Sequence, residues 1–284
     1  MAVPTAKSLI LDLLSVSEGG DAPVRGLVVA CGLFDISENS VRVTLVRLSS
    51  ARLIEATGRG AYQLGERARG LAREVAAWRT AEQSVRDWSG AYVAVHGGAL
   101  PKSDRAQVKR RTRALQMLGF RALERGLFVR PDNLDGGASA ARARLCALGL
   151  EPEASVFRAS AFDPELEARA RALWNGRALT SSYRRTRAQL ESWLLRAGRL
   201  EPDVAARESF LLGGAAIRQI VYDPLLPAPL VDVEERRAFV ETVQRFDRAG
   251  RLIWKRFFGF RLGSAAPSTV QRSSDNPPPG GWSH

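Results

Sequence analysis

The chain is short of the residues that most chemistry needs. It holds two histidines and two cysteines in 284 residues. Cys31 and Cys146 are placed in different domains, so neither a disulfide framework nor a zinc site follows, and both read as buried apolar residues. His284 is the last residue of the sequence. His96 closes a strand-like run, with no acid or nucleophile signal beside it, which marks a structural histidine rather than a catalytic one. The Gly58-Arg59-Gly60 run continues as Ala61-Tyr62-Gln63, so the third glycine of a dinucleotide fingerprint is missing, and no phosphate loop or G-x-S-x-G elbow occurs. Asp163, Glu165 and Glu167, and likewise Glu234 and Glu235, stand early in helical runs, where carboxylates serve the dipole. No apolar run reaches membrane-spanning length. The apolar stretch near the start is short and broken by Asp12, so no secretory leader is expected and a cytoplasmic protein is. No catalytic, metal or cofactor residue is nominated, and the chain is read as a non-enzyme. Lysine is also scarce: Lys7, Lys102, Lys109 and Lys255 are the only ones.

What is there is arginine. The net charge is +12, which fits a polyanionic partner. Guanidinium groups suit bidentate contacts to bases and phosphates. Hydrophobic content of 45% and charged content of 25% are those of a globular protein, long enough for two or three domains. The charge is uneven. Residues 1–78 carry nine basic and eight acidic side chains, residues 79–160 fourteen and eight, and residues 161–284 nineteen and fourteen. Within the first segment the excess is local: Arg42, Arg47, Arg52 and Arg59 face only Glu55.

That local excess lies in the segment Ser37–Leu64. Ser37 is placed to cap a helix and Glu38 to sit near its positive end. Val41, Leu45 and Leu48 recur at helical spacing and should face a core. Asn39, Ser40, Arg42, Val43, Val46 and Arg47 are left on or near the outer surface, where a helix can enter a major groove. Leu53-Ile54-Glu55 and Ala61-Tyr62-Gln63-Leu64 then read as two short strands, and their glycine turn offers Arg59 to a phosphate or a minor groove. Upstream, Ser8–Ser17 and a run opened by Pro23 form two further helices, with Leu33–Ile36 as the turn. Helix, helix, turn, helix, wing is the order of a winged helix-turn-helix. Asn39, Ser40, Arg42, Val43, Arg47 and Arg59 are its candidate DNA contacts.

Past residue 78 the pattern changes. Residues 79–87 are polar and read as a linker. Ala91–Val95, Asp104–Leu118, Arg121–Arg130, Ser139–Leu148 and Ser155–Ala161 then give β-α-β-β-α-β, the ferredoxin-like order. After Pro164 the periodic segments are helical: 165–174, 178–196, 204–222 and 232–257. The tail from residue 263 is rich in Ser, Pro and Gly, and disorder is expected there. The expected architecture is thus α+β and multidomain: a winged helix domain (1–78), a ferredoxin-like central domain (79–162), a C-terminal helical domain (163–262) and a tail (263–284).

Three stretches carry a family resemblance. They are SVRVTLVRLSSARLIE (Ser40–Glu55), LGFRALERGLFVRP (Leu118–Pro131) and ESFLLGGAAIRQIVYDPLLPAPLV (Glu208–Val231). Together, in this order, they resemble the PaaX family of phenylacetate-degradation repressors. The resemblance implies a winged helix, a Cas2-like ferredoxin-fold domain and a helical domain. It also implies a homodimeric repressor that leaves double-stranded operator DNA on binding an aryl-CoA thioester. The sequence departs from the family after Val231, where Val233-Glu234-Glu235 replaces a tryptophan-glycine, and at Gly213-Gly214, where bulkier residues are usual. The effector site is expected between the central and helical domains, which hold most of the positive charge and most of the tryptophans; no effector-binding residue is singled out. Two other readings compete. A Cas2-like metal-dependent nuclease would need a carboxylate at the end of the first central strand, where Val95-His96-Gly97 stands instead. A non-DNA-binding interaction scaffold would leave the basic run Lys102-Arg105-Lys109-Arg110-Arg111-Arg113 as a solvated face. Trp174, Tyr183 and Trp193 read as core, and the phenylalanines near residues 257–260 as packing onto their own domain rather than on a membrane.

Overall fold

The structure is a computed structural model; it describes residues 4–16, 20–58, 60–98, 100 and 103–262. The basic-run residue Lys102, the wing residue Arg59 and the tail 263–284 lie outside the described residues. The chain is mixed α and β, with two small sheets and a helical C-terminal region.

Three helices open the fold: α1 (Ala6–Val16), α2 (Val24–Gly32) and α3 (Glu38–Ser50). Each has apolar residues on one stripe, and the three stripes meet. Leu9, Ile10, Leu13 and Leu14 pack with Leu27, Ala30, Cys31, Phe34, Val41, Leu45, Leu48 and Ile54. Burial pushes the Cys31 thiol up to about 11, so it is an inert apolar filler, as its sequence setting implied. A three-stranded antiparallel sheet flanks the helices in the order β1 (Asp21–Pro23), β3 (Ala61–Leu64), β2 (Ile54–Gly58). Helix α4 (Glu66–Ala76) follows.

The segment read as a polar linker is ordered structure. Ala77–Ser84 forms a 3-10 helix that buries Trp78. Its charges point to distant partners: Arg79 to Asp247 at 3.2 Å, and Glu82 to Arg236 at 2.6 Å. Just beyond it, Arg86 pairs with Asp132 at 3.0 Å. Polarity there reflects long-range ion pairing, not solvation.

The central elements run β4 (Tyr92–His96), α5 (Arg105–Met117), β5 (Arg121–Glu124), β6 (Leu127–Pro131), α6 (Gly137–Leu148) and β7 (Ser155–Ala159). The sheet order is β5-β6-β4-β7, and every pairing is antiparallel. Alternation along β4 decides both faces. Val93 and Val95 face α5 and α6 and pack on Leu115, Leu118 and Leu145. Tyr92 and Ala94, with Leu123 and Val129, face the C-terminal helices, sharing one core with Trp174, Tyr183, Trp193, Phe239 and Phe246.

Those helices are α7 (Pro164–Arg171), α8 (Gly176–Arg196), α9 (Pro202–Val221) and α10 (Val233–Leu262). Asp163 and Asn175 cap α7 and α8 through their side chains. The departure at Gly213 has a packing reason: a Cβ there would stand 3.3 Å from the Phe246 ring, so glycine lets α9 lie close on α10. The departure at Glu235 is matched by Arg184 and Arg187, each 3.2 Å from its carboxylate.

Candidate nucleic-acid interface

Helix α3 begins as the sequence implied. Ser37 Oγ accepts from the Ser40 amide at 3.3 Å. Val41, Leu45 and Leu48 are at most 3% exposed and fix the inner face. The opposite face is bare. Asn39, Ser40, Arg42, Val43 and Arg47 are all exposed, so five of the six nominated residues share one surface. Their freedom differs. Arg42 is held along its own helix by Glu38, Nε to Oε1 at 2.8 Å, with a further N–O contact at 2.6 Å. Ser40 Oγ lies 2.9 Å from Ser37 Oγ. Arg47 makes no side-chain hydrogen bond or ion pair among the described residues. Val46, placed outward by its spacing but not nominated, is the most exposed apolar residue of the helix at 65%.

The β2–β3 ribbon follows α3, and its first strand packs against that helix. Thr57 Oγ1 donates to Asp21 Oδ2 at 3.0 Å, tying the ribbon to β1. Arg69 neutralises Glu55 at 3.1 Å, and Arg67 donates to the Ala51 carbonyl at the end of α3. Gly60 has φ +82°, a conformation that glycine adopts without strain.

The unit carrying α3 is gripped from behind, a contact that periodicity did not foretell. Phe34, in the turn between α2 and α3, meets Phe210 of α9 edge-on at 5.4 Å, under the Arg207 guanidinium at 5.8 Å. Phe210 continues to Trp254 of α10 at 6.1 Å, and Trp254 to Phe257 and Phe258 at 5.5 Å each. Phe257 is buried, but Phe258 packs against the N-terminal apolar cluster rather than onto its own domain as the sequence implied, and Phe260 is 74% exposed. On α1, Asp12 has its carboxyl raised by burial, against the opposing pull of Arg218 on α9.

A buried polar junction joins two of the sequence stretches that carried the resemblance. Arg130 of β6 donates to the Leu118 carbonyl at 2.7 Å, to Asn133 Oδ1 at 3.2 Å and to the Pro224 carbonyl at 3.3 Å. Burial pulls its guanidinium down to about 10, still charged at neutral pH. Asn133 Nδ2 donates to the Leu225 carbonyl at 2.7 Å. Gly119 (φ +76°) is required here, because a Cβ would stand 2.7 Å from the Pro224 Cα. Next to it, Tyr183 donates to Asp223 at 2.5 Å, and Arg236 donates to Glu82 and to the Leu226 carbonyl. Burial raises the Asp223 carboxyl.

Along α5 the basic run divides. Arg105, Lys109, Arg110 and Arg113 are exposed, whereas Arg111 is tucked against Glu151 at 2.6 Å. Two hollows flank this helix. One, of about 440 Å³, is lined by Val95, Arg111, Leu115, Arg125 and Phe128 among others. The second, of about 420 Å³, is lined by Leu115, Phe120, Arg121 and Phe128, and by Tyr222 at the end of α9. By contrast, the surface between the central sheet and the C-terminal helices is filled with side chains. His96 stands exposed at the end of β4. Among the described residues no group of three or more His, Cys, Asp or Glu is placed to hold a metal ion. No helix there is long and apolar enough to cross a membrane.

These features define a mixed α and β protein that displays one solvent-exposed helix face from a small N-terminal unit, braced by C-terminal helices. The chain belongs to the PaaX-like family: residues 5–68 match the model of PaaX-like proteins and residues 174–256 that of the PaaX-like C-terminal domain, together just over half of the sequence. Membership of this family suggests a transcriptional regulator of phenylacetate catabolism. A solved structure, the uncharacterized protein Rv0674 from Mycobacterium tuberculosis, is similar in fold, with a TM-score of 0.54 and 21% identity, over 88% of this chain and 98% of that one. No curated protein matches the chain.

Proposed function

We propose that this protein is a cytoplasmic, non-enzymatic DNA-binding repressor of an aromatic-compound catabolic operon. In this reading residues 1–78 are a winged helix-turn-helix, residues 79–162 a ferredoxin-like domain and residues 163–262 a helical domain. The observation that carries it is the face of α3: apolar anchors at most 3% exposed behind, and Asn39, Ser40, Arg42, Val43 and Arg47 bare in front. Such a helix fits a major groove, with the wing and Arg59 on the backbone or in the minor groove. The sheet order β5-β6-β4-β7 supports the ferredoxin-like reading of the middle.

A homodimer presents two such helices to a pseudo-palindrome, with half-sites separated by about 10 bp or a multiple of it. An aryl-CoA thioester releases the protein by binding the free form more tightly than the DNA-bound one. The hollow shared by Phe120, Arg121 and Tyr222 touches both the central sheet and α9, which is where an acyl group and its anionic carrier find apolar and cationic partners. The test is selection of bound sequences from random duplex DNA, repeated with phenylacetyl-CoA and other acyl-CoA compounds. An enriched palindrome lost on adding one of them supports the proposal. A folded chain that enriches nothing refutes it in favour of a scaffold, and metal-dependent cleavage of the duplex would point to a nuclease.

A further inference from the structure

We infer that the centre of the α3 face reads thymine methyl groups through Val43 and Val46, with the arginines serving its flanks. This rests on the reading of α3 as the DNA-contacting helix. With Val41, Leu45 and Leu48 facing inward, 3.6 residues per turn place positions 39, 43, 46 and 50 along the opposite line. The outermost stripe is therefore Asn39, Val43, Val46 and Ser50. Arg42 and Arg47 fall on either side of it. The middle of the stripe is apolar, not cationic.

Folding does not account for the two valines. Val43 is 42% and Val46 65% exposed, and neither belongs to the core that holds the rest of the helix. A β-branched residue at an exposed helical position gives up side-chain freedom and is a poorer helix former than alanine. It also leaves apolar surface in water. A position with a local cost and no internal partner points to an external one.

The flanks say what that partner is. A cation on each side of an apolar centre suits a polyanion with an apolar group between its charged walls. In duplex DNA that group is the C5-methyl of thymine, the apolar feature of the major groove. Arg42 is drawn along the helix by Glu38, and Arg47 is unpaired among the described residues. Both fit contact with phosphate walls better than with guanines under the helix axis. The base pairs beneath Val43 and Val46 are then A·T pairs, with the thymines oriented toward the helix.

The test uses the full chain and the duplex obtained by selection from random DNA. That duplex is resynthesised with deoxyuridine in place of thymidine, one position at a time, which deletes the methyl and nothing else. Binding is measured by fluorescence anisotropy at fixed salt. Loss of about threefold to fivefold is expected at one or two positions of each half-site, the worth of one buried methyl. Val43→Ala and Val46→Ala, which favour the helix, should bind the thymine duplex as weakly as the parent binds the uracil duplex and lose little more on substitution. Circular dichroism checks that the variants are folded. Specific binding that ignores uracil at every position overturns the inference while leaving the regulator intact, as does undiminished sensitivity in both alanine variants. A chain that enriches no sequence removes the DNA-binding reading, and the inference with it.

Discussion

Replacing Arg236 by methionine removes a cation whose side chain is 1% exposed, while its partner Glu82 remains 19% exposed. The new side chain keeps an apolar stem of similar length and deletes the donors. Glu82 loses contacts at 2.6 and 3.4 Å, and the Leu226 carbonyl loses its donor. Breaking a buried pair from one side costs about 3–5 kcal/mol, because the other charge stays behind unpaired. Water reaches part of Glu82, so the loss should lie near the low end, about 3 kcal/mol. Taking away the second charge as well, in Glu82→Met with Arg236→Met, should recover roughly half of that, since only the carbonyl is then left unsatisfied. Guanidinium chloride unfolding, followed by tryptophan fluorescence and by circular dichroism with coincident transitions, measures both. The reasoning fails if Arg236→Met costs less than about 1 kcal/mol or if the two single losses simply add.

Phe210→Ala should leave helix content unchanged, cost about 2 kcal/mol for a half-buried ring, shift Trp254 emission and weaken operator binding; unaltered emission would mean that the aromatic contact is not formed in solution. Asp223 is raised by burial, so above the ordinary carboxylate range the folded protein holds a proton that the unfolded chain has lost. Its contribution is complete at lower pH and declines as pH rises through the raised value; Asp223→Asn should flatten that part of the stability profile, and an identical profile for parent and variant would contradict it. Arg47→Ala should weaken specific and nonspecific duplexes alike and lower the salt slope by about one charge if it meets phosphate, whereas Arg42→Ala should lose less, because Arg42 must first leave Glu38. Equal losses for the two arginines would sink that ranking.

Helix α9 links the two features that periodicity did not reveal. Phe210, near its middle, touches Phe34 in the turn that leads into α3. Just past its end, Pro224 accepts from Arg130 of the central sheet. A continuous helix over Pro202–Val221 transmits displacement along its length rather than absorbing it. The one helix thus carries both the Pro224 loop at its end and the aromatic contact behind the turn into α3. On the proposed function, an effector would need only to prefer one placement of α9 over another, by the same free energy that it takes from DNA affinity.

How much was legible in the sequence follows from which forces are local. Helix α3 could be placed almost to the residue, because its cap, its inward triad and its bare face all lie within one short span. The element order β4-α5-β5-β6-α6-β7 was equally readable, since strand alternation and turn glycines are local signals. Long-range pairing was not. Arg130 and Pro224 stand in two of the stretches that carried the resemblance only together, and a single sequence offers no sign that they touch. Residues 79–87 were misread for the same reason. Arg79, Glu82 and Arg86 look like a solvated tether until Asp247, Arg236 and Asp132 are seen to meet them. Composition treats charge as a surface property, yet a buried charge with a distant counter-charge leaves no local trace. At the candidate site, spacing alone placed Val46 outward together with Arg42, Val43 and Arg47, but how far it stands in water, 65% exposed, is set by what packs around the helix and leaves no trace in the sequence. The informative residues of this chain are the ones whose character contradicts their place: a cation enclosed at Arg236, and an apolar side chain left in water at Val46.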